Sequence, residues 1–228
     1  MTPHLTREQV RRIDQLAVER YCMTGLVLME NAGRNAASIM DHAYGPWAKA
    51  IIFCGTGNNG GDGCVIARHL HNARWRVRLV MAGDPSRMTP DTRANHAILE
   101  AMNVEMVVAS DRESQRTAVE SIDTDAVVVD ALLGTGFRGE VRSPTETFIS
   151  ALNDAPRQAM VAIDVPSGLD CDSGSPSNAT ITADLTITFA AEKIGFANSA
   201  AAVYTGRIEL ADIGVPKELL DLVADEPS

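Results

Sequence analysis

Three acidic or hydroxyl residues sit where apolar runs end. Asp130 ends the run Ala126–Val129, Asp164 ends Met160–Ile163, and Ser167 follows three residues later. A carboxylate beside a buried strand needs a cation, a metal or several donors. The bland reading, a loop-bracing or helix-capping Asp, serves each one equally well alone. Asn59, Asp130 and Ser167 together offer hard oxygen ligands, which suit an alkali or alkaline-earth ion rather than zinc. Only three of the 20 basic residues are lysines, and Lys193 falls at the end of another apolar run, Leu185–Ala190. Burial there would tune its pKa; the plain alternative is a snorkelling lysine.

Glycine surrounds these residues. Phe53–Gly63 holds five glycines, with Asn58, Asn59 and Asp62 among them. It follows the strand-like run Ala50–Cys54 and precedes the helical pattern Cys64–Leu70. A strand, a glycine-rich turn and a helix present backbone N–H groups to an anion. Gly134–Gly139 is a second such segment, and Arg138, its one cation, suits bidentate phosphate contact. Gly55–Gly60 fits G-x-G-x-x-G literally, but no acidic residue closes the next strand, so the motif is weak. The Lys-Ser/Thr of a Walker A loop and the G-x-S-x-G elbow of hydrolases are both missing.

Alternating strands and helices must position these segments. Strands are expected at Ala50–Cys54, Val77–Met81, Val104–Ala109, Ala126–Leu133, Met160–Val165, Leu185–Ala190 and Arg207–Ala211. Helices are expected from Thr6, with Thr6 and Gln9 at capping-box spacing, then over Gly25–His42, Thr89–Met102 and Glu113–Ser121. A further helix runs to Leu152 behind a second capping box, Ser143–Glu146. Glu30 and Asn31 face either ligand or solvent. The pattern implies one α/β domain with a mostly parallel sheet covered on both faces, its late strands at one edge. Ligands of such sheets bind at the carboxyl ends of the strands. The tail after Val215 reads as dispensable.

The chain has 228 residues, 45% of them hydrophobic, and a net charge of −10. No block of like charge favours nucleic acid or an anionic membrane. Four cysteines without C-x-x-C spacing read as reduced thiols. The acidic residues Glu8, Asp14 and Glu19 and the lack of an apolar h-region speak against a targeting peptide, leaving the cytoplasm as the default.

Five separated motifs, in order, give a specific resemblance: Gly57–Gly63, Val129–Gly136, Asp164–Asp170, Thr188–Lys193 and Asp212–Pro216, joined by Leu28–Gly33. They resemble the NAD(P)H-hydrate epimerase family, also called the YjeF N-terminal domain, from about Thr6 to Pro216. The resemblance implies a Rossmann-like three-layer αβα sandwich and a single domain over residues 1–228. It implies an isomerase that interconverts the R and S forms of hydrated NADH and NADPH. Nucleotide contacts would then fall on Asn58, Asn59, Gly60, Gly61 and Asp62, on Gly134, Thr135, Gly136, Phe137, Arg138, Gly139 and Glu140, and on Asp164. Potassium would be held by Asn59, Asp130 and Ser167. Asp164 is expected as the main acid/base with Lys193 as its partner. A homodimer and a dehydratase on another polypeptide are further implications. The alternative is a catalytically silent nucleotide-binding or protein-interaction scaffold of the same fold, which loss of these motifs would mark.

Overall fold

The computed structural model describes residues 4–226. Nine strands alternate with eight helices among them: β1 (His4–Leu5), α1 (Arg7–Tyr21), α2 (Gly25–Tyr44), β2 (Lys49–Cys54), α3 (Asn58–Asn72), β3 (Arg76–Met81), α4 (Pro90–Ala101), β4 (Glu105–Val108), α5 (Arg112–Glu120), β5 (Ala126–Ala131), α6 (Thr145–Asp154), β6 (Ala159–Ile163), β7 (Leu185–Phe189), β8 (Glu192–Lys193), α7 (Ala202–Thr205), β9 (Arg207–Ala211) and α8 (Lys217–Ala224). Seven strands form one sheet in the order β4-β3-β2-β5-β6-β7-β9. Every pair in it is parallel. The expected parallel sheet with late strands at an edge is therefore present.

Parallel pairing buries both sheet faces, and the side chains alternate between them. Ala50, Ile52 and Cys54 of β2 pack with α1–α4 and α8 on one side. Ile51 and Phe53 pack on the other, where Phe53 meets Phe148 of α6 edge to face at 5.4 Å between ring centroids. Asp130 shares the parity of Val128 and so enters this second layer, fully buried. From β2 the chain winds outward to β3 and β4, then returns to β5 on the other side of β2 and winds the opposite way. That reversal opens a crevice at the carboxyl ends of β2 and β5, where the glycine segments lie.

Four expectations need correction. The segment after β2 is not a turn followed by a helix at Cys64; α3 already begins at Asn58. Its glycines permit close packing rather than positive φ, since a Cβ on Gly60 would lie 1.8 Å from the Gly55 carbonyl oxygen. β5 stops two residues early, because the Leu132 amide turns back to Asp130 Oδ1 and the Leu133 amide turns to Ser167 Oγ. No capping box starts α6: Pro144 occupies the cap and Ser143 Oγ accepts from Arg112 instead. The tail is not dispensable, because Val215, Leu219 and Val223 are buried and Gln9 of α1 donates to the Val223 carbonyl. The Thr6–Gln9 capping box and the Thr89 cap are both formed.

Glu30 and Asn31 serve the fold. Glu30 pairs with Arg68 and His69 of α3, and Asn31 donates to the Ile213 carbonyl at 2.9 Å. Among the described residues no helix is long and apolar enough to cross a membrane.

Candidate active site

The crevice is a cleft of about 1540 Å³, above the roughly 300–1,000 Å³ of drug-sized sites. The start of α3 and the loop after β5 form its floor. α1 and α2 form one wall, and the Ala82–Asp91 segment forms an outer end.

Asp164 lines the cleft. It directly follows β6 with φ of 68°, left-handed backbone that a non-glycine residue adopts at a cost. This turn lifts the carboxylate off the ladder and aims it at two partners. Lys193 Nζ sits 2.7 Å from Oδ1. The Thr135 amide and hydroxyl donate to Oδ2 at 2.7 and 2.5 Å. Gly134 leaves room for this contact, since a Cβ there would come within 2.9 Å of Asp164 Oδ2. Burial opposes ionisation of Asp164, but the Lys193 charge and the Lys193 and Thr135 donors outweigh it and hold the carboxyl below its ordinary value.

Lys193 is not a snorkelling lysine. It is fully buried and also donates to Thr188 Oγ1 and the Phe189 carbonyl, at 2.8 and 3.1 Å. β8 carries it, and β1 pairs with β8 in parallel, Leu5 opposite Lys193. The side chain of Asp164 is 15% exposed where Lys193 is sealed. The carboxylate, not the ammonium, therefore meets the cleft.

A second cluster lies beside the first. The Leu133 peptide is its hub: its amide donates to Ser167 Oγ at 2.8 Å and its carbonyl accepts from Asn59 Nδ2 at 2.9 Å. Ser167 donates its hydroxyl to Asp130 Oδ1 at 2.6 Å and its amide to Oδ2 at 2.8 Å. The structure thus brings Asn59, Asp130 and Ser167 together. Burial pushes Asp130 up to about 6 against those donors. Asn59 Oδ1 is buried and has no hydrogen-bond partner among the described residues. A sealed carboxylate and an orphaned carbonyl oxygen both match a hard cation.

Of the remaining expected residues, Asn58, Asp62 and the Gly134–Glu140 loop line the cleft, whereas Gly60 and Gly61 do not. Asn58 accepts from Thr89 Oγ1 at 2.8 Å, while Gly60 and Gly61 lie buried in the first turns of α3. Asp62 lines the cleft, and burial, then the charges of Asp164 and Asp14, push its carboxyl well above the ordinary value. Gly136, Gly139 and Glu140 are exposed at the rim. Phe137 is half-buried, and its carbonyl accepts from Arg7 at 2.9 Å. Arg138 lies in the open, 3.8 Å from Asp172.

Two residues went unnoticed in the sequence. Arg7 is buried and donates to the Thr135 and Phe137 carbonyls while pairing with Asp170 and Asp172, each at 2.8 Å. It ties α1 to the loop that holds Asp164. Asp14, farther along α1, also lines the cleft. The cleft walls, then the Asp164 charge, push it up to about 6, with Lys193 pulling the other way. Its side chain stays open to solvent, so the walls rather than enclosure supply that desolvation and screening tempers it. That Arg7 is a buried cation, or that the carboxylate seven residues after it faces the cleft, has no signal in one sequence.

The family model described as YjeF-related protein N-terminus matches residues 25–195. The chain belongs to the YjeF_N family. Among its YjeF_N relatives, the NAD(P)H-hydrate epimerase of Rhodopirellula baltica is 39% identical over 220 residues, covering 96% of this chain and 87% of that one. The NAD(P)H-hydrate epimerase of Pirellula staleyi is 37% identical over 221 residues, 97% and 96% of the two chains. The bifunctional NAD(P)H-hydrate repair enzyme Nnr of Moorella thermoacetica is 39% identical over 220 residues, and there the chain spans 41% of the longer protein. The crystal structure of yeast ynu0 superposes with a TM-score of 0.81 at 21% identity, over 99% and 95% of the two chains, and so shares the fold.

The ion pair gives a stability test. Asp164 has a lowered folded pKa, so its contribution is present above the unfolded value and is lost as pH falls through the folded one. Replacing Lys193 by Met leaves the carboxylate buried and unpaired, and should cost about 3–5 kcal/mol at neutral pH. Urea denaturation of both proteins checks it, and the gap should narrow in acid. A loss below about 1 kcal/mol would place the pair among weak surface bridges.

Proposed function

We infer that this chain is an NAD(P)H-hydrate epimerase, interconverting the R and S forms of 6-hydroxylated NADH and NADPH. One observation carries the reading: the cleft at the switch point holds a charged, oriented Asp164 beside a helix N-terminus suited to phosphate. The epimerases among its relatives support it. A silent scaffold is disfavoured, because the Asn59, Asp130, Asp164, Ser167 and Lys193 side chains keep their mutual contacts.

The chemistry follows from the substrate. C6 of the hydrated ring carries a hydroxyl next to the ring nitrogen. Protonation lets the C6–O bond break, water leaves, and the nitrogen lone pair becomes the C=N bond of an iminium cation. Water then adds to the other face of C6, the π pair returns to nitrogen, and the added oxygen loses a proton. No electrons are lost or gained overall. Asp164 contributes a carboxylate that is ionised while the iminium cation forms and then takes up the proton of the incoming water. Lys193 acts through Asp164, fixing its charge and orientation. Asn58 and the Gly134–Glu140 loop would seat the nucleotide, with the first amides of α3 and Arg138 toward phosphate.

Asn59, Asp130 and Ser167 would hold potassium. When bound, the ion supplies positive charge that neutralises Asp130 and steadies the loops carrying Thr135 and Asp164. We also take the enzyme to work in the cytoplasm as a homodimer, supplying one epimer to a hydrate dehydratase.

Two outcomes are expected. Asp164→Asn should lower epimerisation by ~10²–10⁴-fold, while calorimetry still detects binding of hydrated NADH. Chromatographic assay of separated R and S forms reads the first part, and near-wild-type turnover would refute the role. For the cation, the raised pKa of Asp130 means that without an ion stability falls as pH rises from the unfolded value to about 6. Exchanging potassium for choline at neutral pH should therefore lower the melting temperature, by up to about 2.7 kcal/mol of stability at a hundredfold excess over Kd. Asp130→Asn should abolish that response, and identical melting in the two salts would exclude the site.

A further inference from the structure

The epimerase reading leaves one proton without a carrier. Inversion at C6 needs an acid for the departing hydroxyl and a base for the incoming water, and the roles exchange in the reverse direction. Asp164 can serve only one side of this exchange. Its Oδ1 is taken by Lys193 and its Oδ2 by two donors from Thr135. Lys193 is fully buried behind it and does not line the cleft.

Two other carboxylates line the cleft, Asp62 from α3 and Asp14 from α1. Neither accepts a hydrogen bond among the described residues. Asp62 stands on the same helix start as the expected nucleotide cradle. Asp14 comes from a separate wall. Helical periodicity puts residues seven apart on one face, two turns along. Arg7, Val10, Arg11, Asp14 and Val18 therefore form one stripe of α1, and the last four line the cleft. Arg7, at the head of that stripe, is bonded to the Thr135 carbonyl at 2.7 Å, and Thr135 in turn holds Asp164. One chain of contacts thus fixes the α1 face relative to Asp164. The face lies before residue 25, outside the matched family segment.

We propose that Asp14 is a catalytic residue of this cleft, the second acid/base, which serves the face of the ring that Asp164 does not. The proposal rests on the epimerase reading. In one direction the Asp14 carboxyl gives its proton to the C6 hydroxyl as the C6–O bond breaks. The ring nitrogen supplies the electron pair, and water departs. Water adds on the other face and its proton passes to Asp164. In the reverse direction Asp164 donates and Asp14 accepts. Solvent access lets Asp14 reset its proton between turnovers. The charged groups around it are Arg11 on its own helix, Asp62, and the Asp164–Lys193 pair.

The test uses the full chain with separated R and S forms of hydrated NADH. Asp14→Asn should lower kcat by ~10²-fold or more, the usual share of one acid/base group, with KM nearly unchanged. Asp14→Ala should regain activity with added formate, which can carry the missing proton. A kcat for Asp14→Asn within about threefold of wild type would overturn the proposal, since one acid/base group is worth far more. So would a loss in Asp14→Ala that formate does not relieve and that comes with a raised KM, the mark of a structural role. No turnover by the wild-type chain would instead overturn the epimerase reading itself.

Discussion

A buried carboxylate beside a buried ammonium is the constraint on which this cleft is built. Neither Asp164 nor Lys193 could be charged in that position alone, because removing an ion from water costs several kcal/mol even after relaxation. The pair is sustained by saturating both partners. Lys193 has Asp164, Thr188 and the Phe189 and Ala191 carbonyls, and Asp164 has Lys193 and two donors from Thr135. Each support comes from a different strand end. β6 supplies Asp164, β7 and β8 supply the Lys193 environment, and the loop after β5 supplies Thr135. The seven-stranded sheet fixes the ends of β5, β6 and β7 against one another, and the β1–β8 pair carries Lys193 to them.

The second cluster obeys the same logic with the opposite result. Asp130 is as deeply buried as Lys193, but its donors are neutral. Hydrogen bonds alone only partly offset its burial, and its carboxyl rises to about 6. Two neighbouring carboxylates in one sheet thus part company, one held ionised by a buried cation and one raised by burial among neutral donors. Leu133 and Gly134 join the clusters, so steadying one steadies the other.

The parallel sheet, the strand-end location of the site and the grouping of Asn59, Asp130 and Ser167 were legible in the sequence. Apolar β-branched runs, glycine segments and polar residues at run ends each have a local physical cause. What stayed hidden depends on distance in the chain. Whether Lys193 snorkels or pairs is settled by Asp164, 29 residues earlier, and by a two-residue strand at the N-terminus, too short for any periodicity to reveal. Arg7 looked like an ordinary first-turn residue until the loop at Thr135 arrived beside it. The start of α3 was misplaced because glycine disfavours helix interiors by about 1 kcal/mol, a preference that close packing against Gly55 overrides. The burial of α8 on α1 likewise joins the two ends of the chain.

In this cleft Asp164 rests ionised at neutral pH because of its partner, and carries a proton only after it has taken one up during turnover. Carbon-13 NMR of protein labelled at the aspartate carboxyls, titrated from neutral to acid, measures this directly. The Asp164 resonance should keep its ionised shift to below the ordinary carboxylate value of 3.8. A midpoint at or above that value would contradict the account.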